Sequence, residues 1–165
     1  MSVSLFEFAA PQEAEWTVVN DGVMGGRSSG FVAVDAGTLR FTGTLVTRGG
    51  GFTSIRAPRE IDLAGYDGLE LRVRGSGRTF EVEVDDGLRT FGRRVSRRAA
   101  FPSAADWTTV RVPFRTLRST VFGQAVNAPP IDVSRVRSIG FFIVDGRDGP
   151  FALEVDFIRA YRADE

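Results

Sequence analysis

Thr79–Asp85 reads Thr-Phe-Glu-Val-Glu-Val-Asp and runs directly into Asp86-Gly87. Apolar and acidic residues alternate here, and successive side chains of a strand point to opposite faces of its sheet. An Asp-Gly pair tolerates the positive φ that both positions of a two-residue hairpin turn require. The pattern predicts a strand with one buried face, paired through this turn with a second strand at Arg89–Val95.

Short runs of the same kind, separated by many of the 19 glycines, recur along the chain. Phe141–Val144 is apolar on both faces, which is typical of a central strand. Asp132–Val136 predicts one helical turn, and Ser119–Asp132 the longest loop. We expect one domain over residues 1–165, an all-β jelly-roll β-sandwich with few or no helices. The other predicted strands are Leu5–Phe8, Gly30–Val34, Thr38–Thr47, Phe52–Ala57, Leu69–Gly75, Thr108–Pro113, Ser138–Val144 and Phe151–Tyr161.

The composition excludes most side-chain chemistry. The 165 residues include no His and no Cys, and all 21 basic residues are arginine. Disulfides, zinc sites, Ser-His-Asp and Cys-His pairs and Schiff-base lysines are therefore impossible. We expect a protein that is not an enzyme, with no catalytic residues and no cofactor.

Two pairs of acidic residues were considered as calcium ligands, Glu7 with Asp156 and Asp145 with Asp148. Calcium takes six to eight oxygen ligands, which two carboxylates do not supply. We therefore expect these residues to serve in turns, and we predict no metal-binding residue.

Charge and hydropathy limit partners and location. The 21 acidic residues balance the 21 arginines, which makes nucleic acid an unfavoured partner because neutralising many phosphates needs a basic surface. No apolar run is long enough for a transmembrane segment, and the first residues do not resemble a signal peptide. These features predict a cytoplasmic protein.

The most specific motif is Trp16 followed by Asn20-Asp21-Gly22-Val23-Met24-Gly25-Gly26-Arg27-Ser28. It resembles the signature of the complex I intermediate-associated protein family, the thirty-kilodalton class. The resemblance continues over nearly the whole chain, through Phe41-Thr42-Gly43, Gly50-Gly51-Phe52, Arg72-Val73-Arg74-Gly75, Trp107, Pro113-Phe114, Gly140-Phe141, Gly149-Pro150-Phe151 and Glu154-Val155-Asp156-Phe157-Ile158. It implies a galactose-binding-like jelly roll and a role as a chaperone in the assembly of respiratory complex I.

The Gly-rich loop, Asn20–Gly30, admits two interpretations from its residues. In the structural one, the Asp21 carboxylate binds backbone N–H groups, as Asn20 also can, and Met24 closes the end of the core. In the functional one, Met24 and Arg27 lie at a rim where a flexible thioether and a planar cation contact a partner. A phosphate site is disfavoured, because neither a lysine nor a following helix is present.

Arg89–Arg98 contains five arginines and no acid. Cross-strand pairs with Glu81, Glu83 and Asp85 would make this an ion-paired surface. The excess positive charge instead favours a docking face for an acidic protein, an anionic lipid or RNA. Phe91 and Phe101 flank or interrupt the run, and we expect them in the core.

We therefore predict a non-catalytic protein-binding module, an assembly or chaperone-like factor for a respiratory or other membrane protein complex. The alternative is a carbohydrate-binding module, for which Trp16 is the one candidate platform. The predicted binding residues are Trp16, Asn20, Asp21, Met24, Arg27, Arg93 and Arg94.

Overall fold

Two antiparallel sheets pack face to face in the computed structural model, which describes residues 2–10, 13–20, 22 and 25–163. This architecture confirms the predicted all-β sandwich. The strands are β1 (Ser2–Phe6), β2 (Thr17–Asn20), β3 (Ser29–Asp35), β4 (Thr38–Leu45), β5 (Thr53–Ile61), β6 (Gly68–Gly75), β7 (Thr79–Asp85), β8 (Arg89–Thr90), β9 (Arg93–Arg94), β10 (Ser96–Pro102), β11 (Thr108–Pro113), β12 (Arg118–Val121), β13 (Gln124–Ala125), β14 (Val136–Ile143) and β15 (Gly149–Tyr161).

The first sheet, sheet I, has the order β11-β6-β15-β4-β3, with β1 paired to β15. The second, sheet II, has the order β13-β12-β10-β7-β14-β5-β2. Strands β8 and β9 form a separate two-stranded hairpin. No helix in the described ranges has the length and apolarity needed to cross a membrane.

The strand at Thr79–Asp85 is confirmed, but its predicted partner is wrong. Strand β7 pairs with β10 and β14, and Arg98 rather than a residue of Arg89–Val95 lies opposite Glu83. The reason is a second two-residue turn: Phe91 and Gly92 have φ of 49° and 74°, and this turn folds the intervening segment into the β8–β9 hairpin. Ser96–Pro102 is therefore the segment that returns beside β7.

Three other expectations can be compared with the structure. The predicted loop Ser119–Asp132 contains β12 and β13, so that prediction is wrong over its first half. The predicted helical turn is confirmed as a 3-10 turn at Val133–Arg135, where the Asp132 side chain accepts a hydrogen bond from the Ser134 N–H. The predicted central strand is confirmed as β14, which lies between β7 and β5 with Phe141–Ile143 buried; Val144 is exposed.

The core lies between the inner faces of the two sheets. Phe80, Val82 and Val84 of β7 are fully buried there, as the alternation predicts. In β15 the alternation changes phase, because a bulge between Val155 and Phe157 inserts one residue opposite β6. Leu153 and Val155 face the core before this bulge, and Ile158 and Ala160 face it afterwards.

A buried ion pair fastens one end of the sandwich. The Arg78 guanidinium donates through Nε to Asp145, at 2.9 Å, and through its terminal nitrogens to Asp145 and to the carbonyls of Arg147, Gly149 and Pro150. Arg78 is 7% exposed. The contacts join the turn before β7 to the loop before β15, so one side chain holds the two sheets together.

We expect Arg78→Met to lower the free energy of unfolding by about 3–5 kcal/mol, because it leaves a buried carboxylate and several carbonyls without donors. Urea denaturation followed by circular dichroism measures the change. Arg74→Met is the matched control: its pair with Glu154 is solvent-accessible, so its cost should be no more than about 1 kcal/mol. Equal effects of the two variants would contradict this account of Arg78.

The Arg78–Asp145 pair also makes the free energy of unfolding depend on pH. Burial alone would raise the pKa of Asp145, but hydrogen bonds from Arg78 and from the backbone N–H of Arg147, with the charges of both arginines, lower it overall. A lowered pKa gives stability that is present above the unfolded value, about 3.9, and lost as pH falls through the folded value. The difference in unfolding free energy between the wild type and Asp145→Asn should therefore shrink as pH falls below about 4. A pH-independent difference would contradict it.

Candidate functional site

Charged side chains cross four neighbouring strands on the outer face of sheet II. Arg98 on β10 lies opposite Glu83 on β7, Glu83 opposite Gly140 on β14, and Gly140 opposite Arg56 on β5. A Cβ added at Gly140 would lie 2.6 Å from the carbonyl oxygen of Ile55, so glycine is required there. The row therefore has no side chain between Glu83 and Arg56.

A groove of about 290 Å³ lies over this row. We call it the Arg56 groove. Its lining combines aromatic rings with hydroxyl, carboxylate and guanidinium groups, which is the composition expected of a site that orients a partly apolar ligand. The lining residues are Val19, Gly50, Phe52, Ser54, Arg56, Glu83, Arg94, Ser96, Arg98, Thr120, Phe122, Gly123, Phe142 and Val144.

Glu83 is the buried anion of the groove, with 1% of its surface exposed. Arg94 donates to Oε1 at 2.7 Å, and the Ser96 hydroxyl donates to Oε2. Arg94 also lies 3.5 Å from Asp85. Both carboxylate oxygens of Glu83 are therefore occupied by neighbouring side chains.

Arg56 differs from the other arginines of the groove. Arg94 and Arg98 pair with acids of β7, whereas among the described residues the Arg56 guanidinium has no ion pair. The buried Nε of Arg56 has no hydrogen-bond acceptor there, which is also true of the Nε of Arg98. Burial lowers the pKa of Arg56, and the charge of Arg94 lowers it further, against the opposite effect of Glu83 and Asp85. A guanidinium stays protonated despite such a shift. Arg56 is thus a half-buried cation with unused donors.

Aromatic rings form the apolar wall of the groove. The Phe52 and Phe142 rings lie 6.2 Å apart, and the Arg98 guanidinium lies 4.3 Å from the centre of the Phe142 ring. This contact explains why Phe142, on the outer face of the sheet, is only 8% exposed. A ligand in the groove would therefore meet chiefly the half-buried Phe52 ring beside the Arg56 cation.

Two hairpin turns project beside the groove, and both place a phenylalanine at the tip. Phe91 in the β8–β9 turn is 100% exposed and Phe122 in the β12–β13 turn is 64% exposed. Their φ angles are 49° and 50°, and a glycine with positive φ follows each. The expectation that Phe91 lies in the core is wrong, because this turn carries it out of the sheet; Phe101 is buried as expected.

The predicted residues Arg93 and Arg94 lie close together but in different surroundings. Arg93 is exposed, and its guanidinium lies 4.8 Å from the centre of the Phe122 ring. Arg94 points back into the groove and binds the buried Glu83. Within the Arg-rich run, Arg94, Arg97 and Arg98 are therefore ion-paired, Arg97 with Asp86 and Arg98 with Glu81. Arg93 has no ion pair among the described residues.

Three further predicted residues, Trp16, Asn20 and Arg27, do not line the groove. Trp16 packs on the core, with its ring 5.2 Å from that of Phe6 and 6.2 Å from that of Phe141. Asn20 accepts a hydrogen bond from the Thr53 hydroxyl, and Arg27 is exposed. Asp21 and Met24 lie outside the described residues. A binding role for these residues stays a prediction.

The acidic residues considered for calcium are engaged otherwise. Asp145 binds Arg78, Glu7 binds Arg159 and Asp156 binds Arg72, while Asp148 accepts from the Thr47 N–H. The described ranges contain no group of three His, Cys, Asp or Glu side chains that could hold a metal ion.

Residues 6–155 match the model of the family described as complex I intermediate-associated protein 30 (CIA30). The chain belongs to this family. Two relatives named complex I intermediate-associated protein 30, mitochondrial, support the assignment. The Mus musculus protein is 28% identical over 89% of this chain and 52% of its own length; the Drosophila melanogaster protein is 24% identical over 93% and 61%. The chain spans about half the length of the curated relatives it matches.

The CIA30 relatives correct one expectation. They are named mitochondrial proteins, and this finding overturns the prediction of a cytoplasmic protein. That prediction rested on the lack of a recognisable targeting segment. Such a segment need not belong to the folded domain, so this was a weak basis.

Solved structures place the CIA30 fold among carbohydrate-binding modules. The family 11 module of a cellulosomal cellulase of Clostridium thermocellum superposes with a TM-score of 0.70 at 15% identity, over 99% of this chain and 95% of the module. A family 30 module superposes with a TM-score of 0.65 at 19% identity, over 100% and 90%. These likenesses confirm the galactose-binding-like jelly roll and concern the fold alone. Carbohydrate binding by this chain stays a prediction.

Arg56, Phe52 and Phe142 are not among the binding residues predicted from the sequence. Arg56 stands between Ile55 and Ala57, which are both fully buried, and a cation inside an apolar run is a detectable pattern. The Phe-Gly pairs at Phe91-Gly92 and Phe122-Gly123 resemble weak hairpin-turn sequences, because only their second residue favours positive φ. Phe52 and Phe142 had no recognisable pattern of their own.

We expect Phe91→Asn to raise the free energy of unfolding by about 1 kcal/mol, because asparagine tolerates the left-handed conformation that costs other residues ~1–2 kcal/mol. Phe91 is fully exposed, so little packing is lost. Thermal or urea denaturation measures the gain. Phe31→Asn, an exposed phenylalanine within β3, is the control and should give no gain. A destabilised Phe91→Asn variant would show that the ring makes contacts important for folding.

Proposed function

We propose that this chain is a non-catalytic protein-binding module that acts in the assembly of complex I, and that the Arg56 groove receives a segment of its partner. The CIA30 match over residues 6–155 supports the assembly role, as do the names of the curated relatives. The groove supplies the local chemistry for binding.

The observation that carries the binding site is the state of Arg56. A half-buried guanidinium with no acceptor among the described residues is costly, because polar groups removed from water need hydrogen-bond partners. An incoming carboxylate or carbonyl oxygen would supply that acceptor, and a charge-assisted bond in a partly dry groove is stronger than one in water. The Arg56 donors are thus ready for an acceptor from outside the chain.

The rest of the groove selects what carries this acceptor. Phe52 and Phe142 offer an apolar surface beside Arg56, so the segment should place an apolar side chain next to its acidic or carbonyl group. The acids of β7 bind Arg94 and Arg98, which leaves Arg56 as the groove arginine without an ion-pair partner among the described residues. A segment with a single carboxylate beside an aliphatic or aromatic residue fits better than a polyanion.

The same contacts support a non-catalytic role. Both oxygens of Glu83 accept hydrogen bonds from Arg94 and Ser96, so this carboxylate is not free to move a proton to a ligand. The family names likewise describe assembly factors rather than enzymes. Binding and release of a partner is the function that this groove supports best.

We expect Arg56→Met to weaken partner capture without unfolding the domain. Methionine fills a similar volume and removes a buried charge, which is often neutral or stabilising. Loss of a charged hydrogen bond worth about 1.5–3 kcal/mol would lower the affinity roughly ten- to hundredfold. Tagged wild-type and variant chains are purified from cells of the source organism, and the co-purified complex I subunits are quantified by mass spectrometry.

Arg135→Met is the matched control, because Arg135 is exposed and does not line the groove. Capture of complex I intermediates by the wild type and by Arg135→Met, with loss in Arg56→Met, is the expected result. Equal capture by all three chains would contradict the role of the groove. Failure of the wild type to retain any complex I subunit would contradict the assembly role itself.

Arg93 and Arg94 cannot be changed together without affecting the fold. Reversal of both to glutamate would put a negative charge beside the buried Glu83, because Arg94 is its ion-pair partner. Such a variant would lose stability as well as surface charge. Arg93 is exposed and can be changed alone.

A further inference from the structure

Two apolar tips lie side by side next to the groove and are flanked by cations. Arg93 belongs to the first hairpin and its guanidinium covers the Phe122 ring of the second at 4.8 Å. Arg89 donates to the carbonyl oxygen of Gly92, at 3.2 Å, which holds its guanidinium at the first turn. We call Phe91, Phe122, Arg89 and Arg93 the twin-tip surface.

The chain segment that carries both tips is strongly basic. Residues 87–131 contain eight arginines and a single acid, Asp106, although the whole chain has a formal net charge of zero. Four of the eight arginines are held by acids elsewhere in the fold: Arg94, Arg97, Arg98 and Arg111. In the described part of the chain, Arg89 and Arg93 have no acidic partner. The twin-tip surface therefore presents unneutralised cations.

Both tips also have a conformational cost, which Phe91 does not offset by any packing inside the domain. Phe91 and Phe122 both adopt left-handed backbone angles, which bulky residues avoid. Phe91 is wholly exposed, so its ring does not stabilise the fold by burial. Strained, exposed apolar residues that converge at one place indicate contact with something outside the chain.

The shape of the surface distinguishes between possible occupants. Protein interfaces place their strongest contacts in packed pockets surrounded by a rim of other contacts, whereas these two rings stand on the convex ends of narrow turns. A lipid bilayer needs no matching pocket. Apolar rings can enter its interfacial region while the adjacent arginines bind lipid phosphates.

We propose that the twin-tip surface docks on a bilayer that contains anionic phospholipids, with the Phe91 and Phe122 rings inserted and Arg89 and Arg93 at the phosphate level. This contact does not depend on the function proposed for the Arg56 groove. Because Phe122 also lines the groove, docking would place the groove opening close to the membrane surface.

The test is co-sedimentation with vesicles of equimolar phosphatidylcholine and phosphatidylglycerol, compared with vesicles of phosphatidylcholine alone. The wild type should sediment with the anionic vesicles, and less so as salt is raised, because exposed charges are screened. The double variant Phe91→Asn and Phe122→Asn should lose at least about tenfold in affinity, since each ring contributes buried apolar area. Asparagine suits both turns, so the variant should fold.

Phe31→Asn is the control, because Phe31 is as exposed as Phe122 but lies in β3 of sheet I; it should sediment like the wild type. In a second variant, Phe91→Trp, the fluorescence of the introduced tryptophan should be quenched by bromine-labelled lipids in anionic vesicles. No sedimentation of the wild type, or equal sedimentation of the double variant, would overturn the proposal. If the double variant instead loses capture of an acidic protein while no chain binds vesicles, the tips serve that protein and lipid docking is wrong.

The outcome is independent of the capture experiment on Arg56. A wild type that retains complex I subunits but ignores vesicles would remove the membrane contact and leave the proposed function in place. A wild type that binds anionic vesicles but retains no complex I subunit would do the reverse.

Discussion

Strand β7 imposes the constraint on which the rest of this molecule depends. Its inner residues, Phe80, Val82 and Val84, fill the core, and three of its outer residues, Glu81, Glu83 and Asp85, are acids. Carboxylates on a strand in the middle of a sheet cannot all reach water, and Glu83 is almost completely enclosed. Such groups persist only with hydrogen-bonded cations beside them. Arginines of neighbouring strands supply these cations, and together with the acids they form the surface of the groove.

That origin explains why the groove contains both paired and unpaired cations. Arg94 and Arg98 come from the segments after β7 along the chain and meet its acids directly. Arg56 comes from β5, on the far side of β14, and the bare position at Gly140 separates it from Glu83. Distance across the sheet therefore decides which arginine stabilises the fold and which remains available to a ligand.

Much of the fold could be predicted from residue patterns, because a strand buried on one face has alternating apolar and polar residues. The strands at Thr79–Asp85 and Thr108–Pro113 have the predicted bounds, and both alternate regularly. Ser96–Pro102 was missed, since its inward Arg97 interrupts the apolar pattern and is satisfied only by Asp86 and the Pro129 carbonyl. The groove could not be predicted for a related reason: which residues share a face across β10, β7, β14 and β5 depends on strand order and register, and local patterns carry neither.

The restriction of the cations to arginine has a further consequence for how this protein meets other molecules. A lysine in the position of Arg56 would shed its proton readily in such surroundings, whereas a guanidinium keeps its charge. The surface potential of both the groove and the hairpins is thus fixed over the whole physiological pH range. Because the chain contains no lysine, none of its side chains can be acetylated at an amine or coupled to an amine-directed reagent. Contacts of this protein with other molecules are therefore not open to control by lysine acetylation, and carboxyl-directed or photoactivated reagents are the suitable means of trapping them.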